Sequence, residues 1–153
     1  MPKFVFKLEG VLKQRKFAEQ EKQRAVASVG AEMSVLQNEL KGMDQAVQAA
    51  NLDLKMNHLT GGLDMNYLAA HRRYLNATQR RAMQVVQKMA LVQKKLEEAQ
   101  ALLIEAAKAR KIIEKLRERQ YERFREEMAR KEMLAADEVA TQFAYANAEM
   151  NHR

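Results

Sequence analysis

The sequence predicts an all-α fold, a long two-helix antiparallel coiled-coil hairpin whose second helix overhangs the first. Three observations predict it. The chain of 153 residues is 47% hydrophobic and 31% charged, with one Pro, five Gly, no Cys and no Trp, a mixture of strong helix formers with little to build strands from. Its apolar residues recur at alternating spacings of four and three, the period of a coiled-coil seam. The only concentrated breaker, His58-Leu59-Thr60-Gly61-Gly62, falls between two such runs.

The first helix is expected over about residues 3–57. Its seam reads Val29, Met33, Leu36, Leu40, Met43, Val47, Ala50 and Leu54, every position apolar. At 1.5 Å per residue this arm would be roughly 80 Å long. Paired glycines then permit positive φ, so the turn is expected at 58–62. The second helix is expected over about 63–149, in one domain spanning 1–153. Its seam reads Leu68, His71, Leu75, Thr78, Ala82, Val85, Met89, Val92, Leu96, Ala99, Leu103, Ala106, Arg110 and Ile113.

Folding the chain back at Gly61 pairs positions whose numbers total about 121 or 122, placing Leu36 beside Val85 and Leu40 beside Ala82. Farther out, Ala18 would meet Leu103, Arg15 would meet Ala106 and Leu8 would meet Ile113. Polar residues interrupt this outer seam at Arg15, Lys22 and Arg110, so the open end is expected to fray first. Beyond about residue 118 the second helix has no arm left to pair with. Yet Tyr121, Phe124, Met128, Leu134, Val139 and Phe143 continue an apolar stripe, and such a stripe marks a contact surface.

The formal net charge of +7 suits an acidic partner. No acidic residue lies between Asp64 and Glu97, while Arg72, Arg73, Arg80, Arg81, Lys88, Lys94 and Lys95 do. A second basic region lies at the open end, with seven basic and three acidic residues from Lys3 to Arg24. The plain reading of both is a solvated helix face. Nucleic acid is disfavoured as a partner, because no helix-turn-helix, zinc ligand set or stacking platform accompanies the charge.

Catalysis is not expected. His58, His71 and His152 lie apart from one another and from carboxylates at metal-ligand spacing, so neither a metal nor a cofactor is expected. Gly61-Gly62 lacks the Lys and Ser or Thr of a phosphate-binding loop. A two-helix coiled coil is also not expected to enclose a concavity of the ~300 Å³ that small-molecule chemistry needs. Met1 to Gly10 lack the apolar core of a signal peptide, and no stretch approaches the ~18 apolar residues of a membrane span. A cysteine-free chain fits a reducing compartment.

Two segments carry a resemblance. Phe4-Val5-Phe6-Lys7-Leu8 with Val11-Leu12-Lys13-Gln14-Arg15 is similar to the start of flagellar export proteins of the FliJ family. Residues 111–138, closing on Asp137 and Glu138, resemble that family's carboxy-terminal segment. The resemblance implies a non-enzymatic, stalk-like component of the type III export apparatus, on the cytoplasmic face of the inner membrane at the flagellar base. It implies two partners, the export ATPase hexamer and the cytoplasmic domain of the membrane export gate, and leaves export chaperones open as a third. Candidate ATPase contacts are Phe4, Phe6, Leu12, Arg15, Arg117, Arg119, Tyr121, Phe124, Arg125 and Met128. Candidate gate contacts are Tyr67, His71 and Tyr74. The equivalent stalk of a virulence injectisome, a basic coiled coil that binds nucleic acid and a structural spacer are the alternatives.

Overall fold

A computed structural model describes residues 3–59, 61–62 and 64–150, without the side chains of Leu59, Glu149 and Met150. Two helices make up the fold, α1 over Glu9–Leu59 and α2 over Met65–Met150, and the described residues contain no strand. They form an all-α hairpin. Gly61 takes φ of 105°, a left-handed conformation that costs glycine little and other residues more. Thr60, in the expected turn, and Leu63, the expected first residue of the second helix, lie outside the described residues. Asp64 then starts α2 as an N-cap: its carboxylate accepts from the Asn66 N–H at 2.9 Å and its carbonyl from the Leu68 N–H at 3.0 Å.

The chain divides into two compact units, a hinge-side unit of Ala18–Ala106 and an open-end unit of Met1–Phe17 with Ala107–Arg153. In the hinge-side unit, every expected seam position from Val29 to Leu54 and from Leu68 to Ala106 is buried or half-buried. Met33, Val85 and Val92 are the most enclosed. Burying each such side chain contributes roughly 1.5–3 kcal/mol, so this repeated seam holds the unit's two arms together. Cross-arm hydrogen bonds join Arg81 to Glu39, Tyr67 to Asp53 and His71 to Asn51, pairs whose numbers total 120 to 122. That agrees to within one residue with the register the apolar pattern predicts.

The open-end unit is built differently. The expected seam positions Leu8 and Arg15 are exposed there, and the buried residues are Phe6 and Leu12, the latter only 1% exposed. Burying Leu12 gains apolar contact, whereas burying Arg15 would desolvate a charge. The first helix also starts at Glu9 and not near residue 3. Ahead of it the chain is non-helical from Lys3 to Phe6, and the Phe6 carbonyl accepts from the Glu9 N–H at 3.2 Å to close the turn into α1.

That late start corrects the expectation that α2 lacks an intramolecular partner past residue 118. Non-helical backbone can rise up to about 3.3 Å per residue against 1.5 Å in a helix, so a few residues reach several positions farther along the opposite arm. Phe4 accordingly meets Tyr121 and Phe124. α2 continues to Met150, with every described side chain from Ala129 to Ala148 exposed.

Candidate partner-binding surfaces

In the open-end unit, three rings meet where the start of the chain lies along α2. Phe4 and Tyr121 have centroids 5.3 Å apart at 72°, an edge-to-face arrangement, and Phe4 and Phe124 are 5.6 Å apart at 49°. Such pairs add roughly 0.5–1.5 kcal/mol beyond the area they bury. Tyr121 nevertheless remains 47% exposed. Just past the rings, Phe124, Met128 and Ala129 floor a groove of about 460 Å³, with Glu122, Arg125, Glu126 and Glu132 around it.

Ion pairs fasten the same unit. Arg117 Nε lies 3.4 Å from Glu9 Oε2, and Glu114 accepts from Arg110 Nη1 at 2.5 Å while lying 3.8 Å from Lys16 Nζ. Arg110 reads in the sequence as a polar break in the seam. Glu114, one helical turn on, explains how that break is tolerated, and the four-residue spacing was the signal that could have found it. Glu9, Lys16 and Glu114 carry no such signal across the arms, because it depends on the register of the open end.

The ten residues predicted to contact the ATPase therefore separate. Phe4, Tyr121, Phe124, Arg125 and Met128 come together at the ring cluster and groove, and Arg117 is held by Glu9. Arg15 and Arg119 are exposed. Phe6 and Leu12 are buried, so their side chains pack inside the unit and hold the start of the chain in place; they do not present a contact surface.

The three candidate gate residues lie along the first turns of α2. Tyr67 donates its hydroxyl to Asp53 Oδ2 at 2.5 Å, and that bond raises the phenol above its ordinary value, because ionising it would set a second negative charge beside the carboxylate. His71 Nε2 lies 3.2 Å from Asn51 Oδ1. Tyr74 is 43% exposed and lines a groove of about 340 Å³ with Gly42, Met43, Ala46, Thr78 and the Arg81–Glu39 pair. Tyr67 and His71 are thus oriented from across the arms, while Tyr74 presents its ring.

A larger groove, about 680 Å³, runs over Leu40, Met43, Val47, Leu75, Thr78 and Ala82 in the same unit. It is a surface groove beside the small side chains of Thr78 and Ala82, not an enclosed concavity of the kind the sequence argues against. The groove is open and mainly apolar. Among the described residues, no three His, Asp or Glu side chains cluster to hold a metal ion. No helix of the described residues is long and apolar enough to cross a membrane.

A family model described as flagellar FliJ protein matches residues 4–149. The chain belongs to the FliJ family. It is therefore a component of flagellar protein export, a non-enzymatic one like its family. Neither the comparison with curated proteins nor that with solved structures found a match. Among the described residues, the ring cluster and the Tyr74 groove each combine exposed aromatic area with neighbouring side chains fixed by contacts.

Proposed function

We propose that the chain is the stalk-like component of the flagellar export apparatus, which binds the export ATPase hexamer through its open-end unit. In this reading, the cytoplasmic domain of the membrane export gate binds at Tyr67, His71 and Tyr74, and both contacts lie at the cytoplasmic face of the inner membrane. The observation that carries it is membership of the FliJ family over nearly the whole chain. The ring cluster supports it as a ready anchor, because exposed aromatic side chains beside basic residues make effective interface centres.

A protein without chemistry can still promote ATP hydrolysis. Contacts that suit one subunit conformation better than another shift the ring's equilibrium by the difference in affinity. Arg119 and Arg125 would steer an acidic ring surface, and Tyr121, Phe124 and Met128 would seat in it.

The test adds purified chain to the cognate export ATPase and follows phosphate release and hexamer fraction. Turnover or assembly should rise, and Phe124→Ala with Met128→Ala should cut the rise about tenfold, the loss of a single moderate hot spot, without loss of helicity. No change in either readout on adding the unaltered chain would sink the proposal. Tyr74→Ala should weaken capture of the gate's cytoplasmic domain and leave ATPase stimulation intact.

A further inference from the structure

From Ala129 to Ala148 α2 is exposed all round, yet its sequence is not that of an all-polar helix. Leu134, Val139 and Phe143 are 60%, 50% and 67% exposed. At 3.6 residues per turn, Tyr121, Phe124, Met128, Ala135, Val139, Phe143 and Ala146 fall within an arc of about 100°, the width of a stripe that packs against another element. This stripe runs on from the ring cluster, interrupted between Met128 and Ala135 by Glu132, which falls inside the same arc.

Charge changes sign along the same helix. Residues 115–131 carry seven basic and four acidic side chains, a net of +3, and residues 132–148 carry three acidic and no basic ones, a net of −3. The two stretches are of equal length and meet between Lys131 and Glu132. A second copy laid parallel would set like charge on like along the whole stripe. Laid antiparallel, it sets the acidic stretch of each copy on the basic stretch of the other.

We propose that this stripe is an interface with a second copy of the chain, antiparallel and two-fold symmetric about the Lys131–Glu132 junction. Residues 132–148 of each copy lie along residues 115–131 of the other. Val139 of one copy then lies over Phe124 of the other and Ala135 over Met128, covering that groove, while Phe143 falls level with Gln120 and Tyr121. The interface is isologous, so each contact occurs twice and the assembly closes at two. Tyr121, Phe124 and Met128 would serve this contact and the ATPase in turn, but the test needs neither the ATPase nor that reading.

The chain contains no cysteine, so single introduced thiols report the arrangement directly. Sedimentation of the full chain should show a concentration-dependent dimer that weakens in high salt, as screened charge requires. Under mild oxidation Glu132→Cys, beside the two-fold axis, should form a disulfide dimer. Ala146→Cys should not, because the antiparallel arrangement separates the two thiols by roughly 40 Å. Glu132→Lys with Glu138→Lys should raise the dissociation constant about tenfold, and so should Arg125→Glu with Lys131→Glu. A mixture of those two variants should recover the dimer, with helicity unchanged throughout. A monomer at every concentration overturns the proposal, and so does cross-linking of Ala146→Cys as readily as Glu132→Cys.

Discussion

The hinge-side unit and the open-end unit join the same two helices by different means. In the first, apolar side chains repeat every three or four residues on both arms and all of them are buried or half-buried. In the second, two well-buried side chains, Phe6 and Leu12, are joined by three rings meeting edge-on or tilted and by ion pairs at Glu9, Lys16 and Glu114. A periodic seam spreads stability over many equivalent positions. The open end concentrates it in a few, and leaves α2 beyond Met128 uncovered.

The largest expected effect breaks the seam itself. Val85→Asp puts an unpaired carboxylate where only 3% of the residue meets solvent, and it should cost about 3 kcal/mol or more. Thermal melting followed by circular dichroism measures it, with charge reversal at exposed Arg80 as the comparison; equal losses would contradict the seam. Next comes Leu12→Ala, expected to cost about 2–4 kcal/mol as a buried leucine. Hydrogen exchange should show its effect confined to amides near residues 9–17 and 107–117, which sharpens the division into two units. Uniform deprotection of both units would erase it.

Phe4→Ala removes both ring contacts of the open end and should cost about 1–3 kcal/mol, with altered Tyr121 fluorescence and no change at the hinge side. Gly61→Ala should cost roughly 1 kcal/mol through its positive φ. The smallest effect is a titration. The folded-state value of Tyr67 is raised, so the bond to Asp53 stabilises fully below the ordinary phenol range and is lost as pH rises from that range through the raised folded value. Absorbance titration should find Tyr67 ionising late, and Asp53→Asn should lower it toward the ordinary range.

The sequence reveals the hinge-side unit well and the open end poorly, for one physical reason. Heptad spacing reports burial wherever both arms are helical in constant register, which is why Val29 to Leu54 and Leu68 to Ala106 are all placed correctly. At Phe4-Val5-Phe6 the backbone leaves the helix, and a pattern that assumes 1.5 Å per residue then mispairs everything beyond. Tyr121 and Phe124 thereby read as unpaired, whereas Arg15, inside α1, is misread as seam because Leu12 takes the buried position and spares a charge from desolvation. Cross-arm partners such as Asp53 for Tyr67 and Glu9 for Arg117 depend on side-chain reach, which spacing does not encode. The aromatic residues of the candidate surfaces are legible by type, but their grouping comes only from the fold.

The most direct test of the doubled-back arms is a distance between spin labels at Glu39→Cys and Arg81→Cys, whose native side chains meet at 3.0 Å although 42 residues separate them. Pulsed electron resonance should return one short distance, within the reach of two labels on facing helices. A separation near the roughly 60 Å that an uninterrupted helix sets between these positions would contradict the hairpin.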